Sequence, residues 1–415
     1  MRVLFVSHAE KTHYFSMVPL AWALRAAGHE VRVASQPELA PAIVESGLVA
    51  VPVGADHKWK QMMEEKADDS WTQRVGKVIA DSSNVEWAEF VDFLDESTRD
   101  YLAVVNNDEF IDDLVAYARE WRPDLIVWEQ LSWAGAIAAR ASGAAHARFL
   151  WGADVMVRIH QDFRRQLAEQ PPEAQSDPLV EWLTGALSRH GCDFVEEVVT
   201  GQWTIDTAPP SHRRDYGLRT IGMRYVPYNG PAALPDWLRE PPALPRVAVT
   251  AGVSVRHYFG VDLISLAALH MFADLEIEVI ATLLPAPGES PADAPANATV
   301  LDFVPMQGLL PTCSAVMHIG GAGVQSTALH YGVPQLILPG LWDTELRAAQ
   351  VVESGAGLAI PPHEASPERI RGDLVRLLNE PGFAEAAERL RLDAQSAPSP
   401  AAIVPDLERL AAEHA

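Results

Sequence analysis

Residues 318–343 read HIGGAGVQSTALHYGVPQLILPGLWD, and this stretch is the part of the chain that best predicts a fold. The apolar residues 315–319 predict a β-strand, and residues 324–331 predict an α-helix. The GGAG sequence between them turns the strand directly into the helix. Because the first N–H groups of a helix have no intrahelical partner and lie at the positive end of its dipole, we expect an anion such as a diphosphate to bind at this turn.

The GGAG turn departs from the two common glycine-rich phosphate motifs. No Lys-Ser or Lys-Thr follows it, as a P-loop requires, and Ser326 stands where G-x-G-x-x-G needs its third glycine. His318, just before the turn, is a candidate hydrogen-bond donor to a phosphate oxygen; the alternative is a histidine that only satisfies a strand end. Asp343 follows the next strand and could accept hydrogen bonds from sugar hydroxyls; the alternative is an N-cap for the helix that begins at Thr344.

Strand and helix patterns alternate along most of the chain. Predicted helices cover 17–27 and 134–141, residues 56–113 are predicted to be irregular, and the predicted strands are 3–6, 31–34, 48–51, 125–128, 147–150, 247–250, 277–282, 300–303, 315–319 and 335–338. Such alternation predicts an α/β protein with two Rossmann-like, doubly wound parallel sheets. Ligands are expected beyond the carboxyl ends of the strands, in a cleft between two facing domains.

The domain boundary is predicted from residues 207–245, which are rich in proline and glycine. We place an N-terminal domain at 1–230, a linker at 231–243 and a C-terminal domain at 244–398. Residues 399–415 are predicted to form a helix that packs back on the N-terminal domain. A chain of 415 residues suits two domains of ordinary size.

The formal net charge of −24 argues against binding to nucleic acid or to anionic membranes, because like charges repel. The chain has no run of about 18 apolar residues, and its N-terminus lacks the apolar stretch of a signal peptide, so we expect a soluble cytoplasmic protein. Two cysteines, Cys192 and Cys313, predict neither a disulfide framework nor a zinc site.

Several segments resemble a known family. FVPMQGLLPTCSAVMHIGGAGVQSTALHYGVPQLILPGLWDTELRA resembles the donor-binding signature of the GT-B glycosyltransferases (family 1) that act on natural products, and MRVLFVSHAEKTHYFSMVPLAWALRAAGHEVRVASQPEL resembles their N-terminal half. RPDLIVWEQLSWAGAIAA and GMRYVPYNGPAALPDWL resemble the actinomycete TDP-deoxysugar transferases of macrolide and polyketide biosynthesis, of the desosaminyl- and mycaminosyltransferase kind. The resemblance spans nearly the whole chain and implies a hexosyltransferase with the GT-B fold.

On the acceptor side, the resemblance implies a catalytic dyad. His13 matches the general base of the family, and Glu129 stands where relatives keep an acidic partner, in many of them Asp. An imidazole that is oriented by a carboxylate can take a hydroxyl proton as attack develops. Four aromatic residues are candidate walls of the acceptor pocket, with ordinary packing as the alternative: Tyr14, Phe15, Trp133 and Trp151.

On the donor side, the resemblance assigns the nucleobase to Phe303 and Val304, and the sugar to Asp343 and Thr344. It assigns the diphosphate to Ser254, His318, Gly321, Ala322 and Gly323. Arg256 is a further candidate for phosphate, with a solvated surface arginine as the alternative. The chain departs from relatives at Ile319, at Val324, where a hydroxyl residue is common, and at Thr344, where many have Gln; the last is consistent with a deoxygenated sugar.

We therefore predict an inverting, metal-independent transferase that moves a TDP-activated deoxysugar, or an aminosugar, to a hydroxyl of a hydrophobic polyketide aglycone. The chain has no Asp-x-Asp motif to hold a metal, so helix N–H groups and His318 are expected to stabilise the leaving diphosphate. The resemblance also implies a cytochrome-P450-like auxiliary activator protein that docks on residues 56–115 and 155–200, and a homodimer remains an option. The alternatives are a nucleotide-sugar epimerase of the same fold and a catalytically silent scaffold or activator.

Overall fold

The computed structural model describes residues 1–65, 69–259, 262, 264–285, 288–340 and 342–414. The chain forms two compact units. The first unit comprises Met1–Ala208, Arg213–Arg224 and Pro398–Ala415, and the second comprises Pro209–His212 and Tyr225–Ala397. Each unit is an α/β structure around one parallel sheet, which confirms the predicted fold class. None of the described helices combines the length and apolar character needed to cross a membrane.

The first unit contains a seven-stranded sheet in the order β3-β2-β1-β4-β5-β6-β7, and all neighbouring strands are parallel. The strands are β1 Arg2–Val6, β2 Glu30–Ser35, β3 Val49–Pro52, β4 Leu125–Glu129, β5 Ala145–Leu150, β6 Trp203–Asp206 and β7 Thr220–Gly222. Strands β4 and β5 are buried along their whole length, as expected for a parallel sheet covered on both faces. The short strands β6 and β7 were not predicted.

Eleven α-helices described in the first part of the chain belong to this unit. They are α1 Lys11–Ala26, α2 Ala40–Glu45, α3 Trp59–Glu65, α4 Asp69–Ala80, α5 Trp87–Ser97, α6 Ala103–Val105, α7 Asp108–Trp121, α8 Trp133–Ser142, α9 Val155–Leu167, α10 Pro178–Ser188 and α11 Glu197–Thr200. The prediction that residues 56–113 are irregular is therefore wrong. In α5 the buried residues Phe90, Phe93, Leu94 and Ser97 recur at helical spacing, and the acidic residues that obscured this pattern lie between them.

The second unit contains a six-stranded parallel sheet in the order β10-β9-β8-β11-β12-β13. The strands are β8 Arg246–Thr250, β9 Glu278–Thr282, β10 Ala298–Val300, β11 Ala315–His318, β12 Gln335–Ile337 and β13 Gly357–Ala359. The helices are α12 Val253–Phe259, α13 Met306–Leu309, α14 Ala322–Tyr331, α15 Thr344–Glu353, α16 Pro367–Asn379 and α17 Pro381–Ser396. Because β10 ends at Val300, Phe303 lies in a loop and not in the predicted strand.

Short helical turns join these elements. Thr98–Leu102 is π-helical, and the 3₁₀ turns are Pro37–Leu39, Ser82–Asn84, Pro172–Ala174, Pro210–His212, Asp236–Arg239, Leu266–Phe272, Pro291–Asp293, Leu310–Thr312 and Pro362–Glu364. The last helix, α18 Val404–Glu413, returns to the first unit. There Glu408 pairs with His29 at 3.1 Å, and Glu413 pairs with Arg219 at 3.1 Å.

Candidate active site

Two polar side chains, His8 and Glu129, come together at the carboxyl ends of β1 and β4 in the first unit. The register pairs Val6 with Trp128, so the loop after β1 begins beside Glu129. The strand order reverses at β1, since the chain runs outward through β2 and β3 and then returns to β4. Parallel α/β sheets bind ligands at such switch points. His13 lies in the first turn of α1, which begins just beyond the loop.

The Oε2 atom of Glu129 faces the predicted base. It accepts hydrogen bonds from the backbone N–H of Leu131 at 3.1 Å and from Nε1 of Trp151 at 2.8 Å, and it lies 3.4 Å from Nδ1 of His13. Burial raises the pKa of Glu129, but the charges and hydrogen bonds of His8 and His13 outweigh burial and hold this pKa well below its ordinary value. Glu129 is therefore a carboxylate at neutral pH.

The Oε1 atom of Glu129 is held by two residues to which the sequence analysis assigned no role, His8 and Ser132. Nδ1 of His8 lies 2.9 Å from Oε1, and the hydroxyl of Ser132 donates a short hydrogen bond to the same oxygen. No pattern in the sequence pointed to this arrangement, because His8 and Glu129 are separated by 121 positions. The only sequence signal was that His8, like His13, follows the first strand.

Of the two histidines, His13 is the one whose side chain reaches the surface. Its side chain is 13% exposed, whereas that of His8 is 1% exposed. The His13 ring stacks on Trp151, with the ring centroids 4.0 Å apart and the planes 22° from parallel, and it meets the His8 ring edge-on at 5.0 Å. Of the two histidines, His13 is therefore the one that has exposed surface for a substrate while its Nδ1 edge faces the carboxylate.

A metal ion could also use this group of residues. The ligand atoms of His8, His13 and Glu129 all lie within 4.8 Å of one another, and two histidines with one glutamate are a donor set that Zn²⁺ adopts. Both oxygens of Glu129 already accept hydrogen bonds from protein groups, however. The hydrogen-bonding capacity of this carboxylate is therefore used within the protein.

The four candidate aromatic walls of the acceptor pocket do not lie in equivalent places. Trp151 and Phe15 are partly exposed. Tyr14 is completely buried and its hydroxyl bonds to Oγ of Ser46 at 2.5 Å, and Trp133 is 1% exposed. A pocket wall has to present surface to its ligand. Tyr14 and Trp133 present almost none, so they are core residues in this structure.

The glycine turn of the second unit has the geometry of an anion site. Gly320 has φ of +86°, and a β-carbon there would lie 2.8 Å from Cβ of Thr344, so glycine is required. Gly321 is the N-cap residue of α14 and has no side chain to occupy the first N–H groups of that helix. A β-carbon on Gly323 would meet nothing within 4 Å, so the first turn of α14 is open at this position.

His318 stabilises this turn from within the core. It is fully buried; the N–H of Gly320 donates to its Nδ1 at 2.9 Å, and its Nε2 donates to Oε1 of Gln335 at 2.9 Å. Burial lowers the pKa of His318 to about 4, so the ring is neutral at pH 7. Both ring nitrogens are thus used within the protein. The structure does not direct an N–H of this ring toward a phosphate, contrary to the prediction from the sequence.

Asp343 neither caps α15 with its side chain nor faces solvent. Its two carboxylate oxygens accept hydrogen bonds from Arg347 at 2.7 and 2.9 Å, and both residues are buried. Arg347 also donates to Oε1 of Gln325 on α14 at 3.0 Å. Oγ1 of Thr344 accepts from the N–H of Gly340 at 3.2 Å. Asp343 is therefore connected to α14 through Arg347, and Thr344 is connected to the loop after β12 through Gly340.

Arg256 connects loops at the carboxyl ends of three strands. It donates to both carboxylate oxygens of Asp262 at 3.2 and 2.8 Å, and to the carbonyl oxygens of Thr282 at 3.1 Å and Asp302 at 3.4 Å. The guanidinium is 20% exposed and pairs with Asp262, so it is not a freely solvated surface arginine, and its contact with phosphate stays a prediction. Ser254 lies in the first turn of α12, after β8.

The two residues predicted to contact the nucleobase differ in exposure. Phe303 is 52% exposed, whereas Val304 is 1% exposed and packs in a core cluster with Leu309 and Val316. Of the pair, only Phe303 presents an aromatic surface. Val304 instead anchors the loop that carries it.

Family models and curated relatives match the chain along most of its length. The N-terminal and C-terminal domain models described as "Erythromycin biosynthesis protein CIII-like" match residues 22–252 and 266–410. The chain is 48% identical to 10-deoxymethynolide desosaminyltransferase of Streptomyces venezuelae, over 100% of this chain and 98% of that protein. It is 45% identical to tylactone mycaminosyltransferase of Streptomyces fradiae, over 100% of this chain and 93% of that protein.

A solved structure extends this likeness to three dimensions. The glycosyltransferase VinC in complex with dTDP superposes with a TM-score of 0.88 at 38% identity, and the match covers 100% of both chains. The chain belongs to the erythromycin biosynthesis protein CIII-like family and is a glycosyltransferase with the GT-B fold.

Proposed function

We propose that this glycosyltransferase moves a deoxysugar, or an aminosugar, from a TDP-sugar to a hydroxyl of a polyketide-type aglycone with inversion at the anomeric carbon. The observation that carries the proposal is the contact between His13 and Glu129, in which a partly exposed imidazole lies 3.4 Å from a completely buried carboxylate. The names of the two relatives, a desosaminyltransferase and a mycaminosyltransferase, support the class of sugar and of acceptor. The dTDP complex of VinC supports the nucleotide.

In the proposed reaction, His13 acts as the general base. Because its Nδ1 faces Glu129, the other ring nitrogen takes the proton of the acceptor hydroxyl while that oxygen attacks the anomeric carbon. The bond between the anomeric carbon and the diphosphate oxygen breaks in the same displacement. Glu129 remains a carboxylate and stabilises the imidazolium that forms, as the aspartate does in a Ser-His-Asp triad.

The leaving TDP takes the negative charge, and we assign its stabilisation to the N-terminus of α14. The N–H groups of Ala322 and Gly323 carry the positive end of the helix dipole, and His318 holds the preceding turn through Gly320. In this scheme Asp343 accepts a sugar hydroxyl through a carboxylate lone pair that the hydrogen bonds of Arg347 leave unused, and Phe303 is the surface for the thymine base. No metal is required in this scheme, because backbone groups supply the stabilisation.

The proposal is tested by assaying wild type and His13→Ala with TDP-deoxysugars and macrolactone acceptors, with and without a cytochrome-P450-like auxiliary protein. We expect His13→Ala to lower kcat by about 100-fold or more while TDP affinity stays unchanged. Turnover near the wild-type rate would overturn the role of His13. Epimerised donor without transfer would favour an epimerase, and a loss of transfer on adding EDTA would contradict metal independence.

A further inference from the structure

A second histidine, His8, shares the carboxylate of the proposed dyad. Its side chain is 1% exposed, and its Nδ1 lies 2.9 Å from Oε1 of Glu129 and 3.3 Å from Oγ of Ser132. A carboxylate oxygen can only accept hydrogen bonds, so Nδ1 of His8 carries the hydrogen. His8 and His13 thus contact different oxygens of one carboxylate.

Ser132 ties His8 and Glu129 together. The backbone N–H of His8 donates to Oγ of Ser132 at 2.7 Å, and the Ser132 hydroxyl donates to Oε1 of Glu129. Ser132 is the N-cap residue of α8, yet its side chain does not cap that helix. A serine at this position ordinarily satisfies a helix N–H group. Here its hydroxyl instead joins the loop after β1 to the loop after β4.

These contacts, together with the hydrogen bonds that Leu131 and Trp151 donate to Oε2, fix the rotation of the Glu129 carboxylate. With Oε1 held by His8 and Ser132, Oε2 is directed to the other side, where it lies 3.4 Å from Nδ1 of His13. The His8 ring also meets the His13 ring edge-on, with the planes 83° apart, and so limits the positions that His13 can take. Loss of His8 would leave the buried Oε1 atom of Glu129 with one hydrogen-bond donor fewer. It would also remove the ring that limits the positions of His13.

We propose that His8 is a positioning residue for sugar transfer, which holds Glu129 so that its Oε2 atom stays aligned with His13. This inference rests on the proposed function, because His8 acts only through His13 as base. His8 itself touches neither the sugar nor the acceptor. Its removal should lower kcat more than it raises KM for the TDP-sugar.

The test compares His8→Leu with His8→Asn. Leucine removes the N–H donor, and we expect kcat to fall by about 10- to 100-fold, less than for His13→Ala, with the KM for the TDP-sugar within about twofold of wild type. Asparagine places an amide N–H near the position of Nδ1 and should recover most of kcat. A control is His29→Leu, which removes a histidine with a 7% exposed side chain from its pairing with Glu408 at the amino end of β2 and should leave kcat unchanged.

A double-mutant cycle distinguishes positioning from a general loss of structure. In the His13→Ala background, His8→Leu should cause no further loss, because residues that act through one another are not additive. Equal losses in both backgrounds, or wild-type kcat for a folded His8→Leu, would overturn the inference.

If His8→Leu does not fold, His8→Gln replaces it, and equal activity of the Asn and Gln variants would overturn the inference. If His13→Ala itself retains turnover, the proposed function fails instead.

Discussion

The indole of Trp151 stacks on the imidazole of His13, with the ring centroids 4.0 Å apart, and the same indole donates its N–H to Glu129 at 2.8 Å. One aromatic side chain therefore contacts both members of the dyad. Its ring limits where the imidazole can lie, and its N–H helps to hold the carboxylate oxygen that faces that imidazole.

Replacing Trp151 by phenylalanine or alanine separates these two contributions. Trp151→Phe keeps a ring against His13 but removes a hydrogen bond to a charged group, and we expect kcat to fall by about tenfold. Trp151→Ala removes both and should lower kcat further. Steady-state kinetics with a fixed TDP-sugar measures both effects. A Trp151→Phe variant with the wild-type kcat would show that the indole N–H has no part in the reaction.

His318 is expected to support donor binding through the turn and not through charge. His318→Asn retains an acceptor for the Gly320 N–H, so TDP affinity should change little, whereas His318→Leu removes the acceptor and should weaken TDP binding by about tenfold, or about 1.4 kcal/mol. Calorimetric titration with TDP measures the difference. Equal affinities for the two variants would contradict this role.

The lowered pKa of His318 also predicts a pH dependence of stability. The ring titrates at 6.5 when unfolded and at about 4 when folded, so only the unfolded chain takes up the proton between these values. The contribution of His318 is therefore complete above pH 6.5 and is lost as pH falls toward 4. Urea unfolding of wild type and His318→Asn at pH 7.5 and pH 5 should show the larger fall in free energy for wild type.

Removing only one partner of the buried Asp343–Arg347 ion pair should lower the free energy of unfolding strongly. Arg347→Met leaves the Asp343 carboxylate without its partner, and we expect a loss of about 3 to 5 kcal/mol in the free energy of unfolding and a higher KM for the TDP-sugar. The double variant Arg347→Met/Asp343→Leu removes both charges and should be more stable than Arg347→Met alone. Chemical unfolding tests the order, and a double variant less stable than the single one would contradict it.

Substitutions at two glycines before and within the first turn of α14 should affect stability and TDP binding separately. Gly320→Ala forces a side chain into φ of +86° and against Thr344, so we expect a loss of about 1 to 3 kcal/mol in stability. Gly323→Ala adds a methyl group in open space, so stability should stay near that of wild type while TDP affinity falls. If Gly323→Ala binds TDP as wild type does, the diphosphate does not occupy the space in front of α14.

Hydrophobic periodicity was enough to predict the two parallel sheets, because a buried parallel strand is a short apolar run whose pattern is local. It failed for α5, where acidic residues mask the helical spacing of the buried ones, and for β6, whose run Trp203–Asp206 has only four residues and includes polar ones. His13 and Glu129 were proposed from resemblance, since an isolated histidine near the start of a helix carries no local signal of catalysis.

The sequence by itself determined the class of fold and the glycine turn before α14, and through its family likeness it suggested the residues of the proposed dyad. Only the tertiary structure decided how they are supported: His8 and Ser132 hold one oxygen of Glu129, His318 turns inward to Gly320 and Gln335, and Arg347 neutralises Asp343. The physical reason is that strand and helix patterns arise from neighbouring residues, whereas the pairing of a buried polar group depends on which distant loop the sheet order brings beside it.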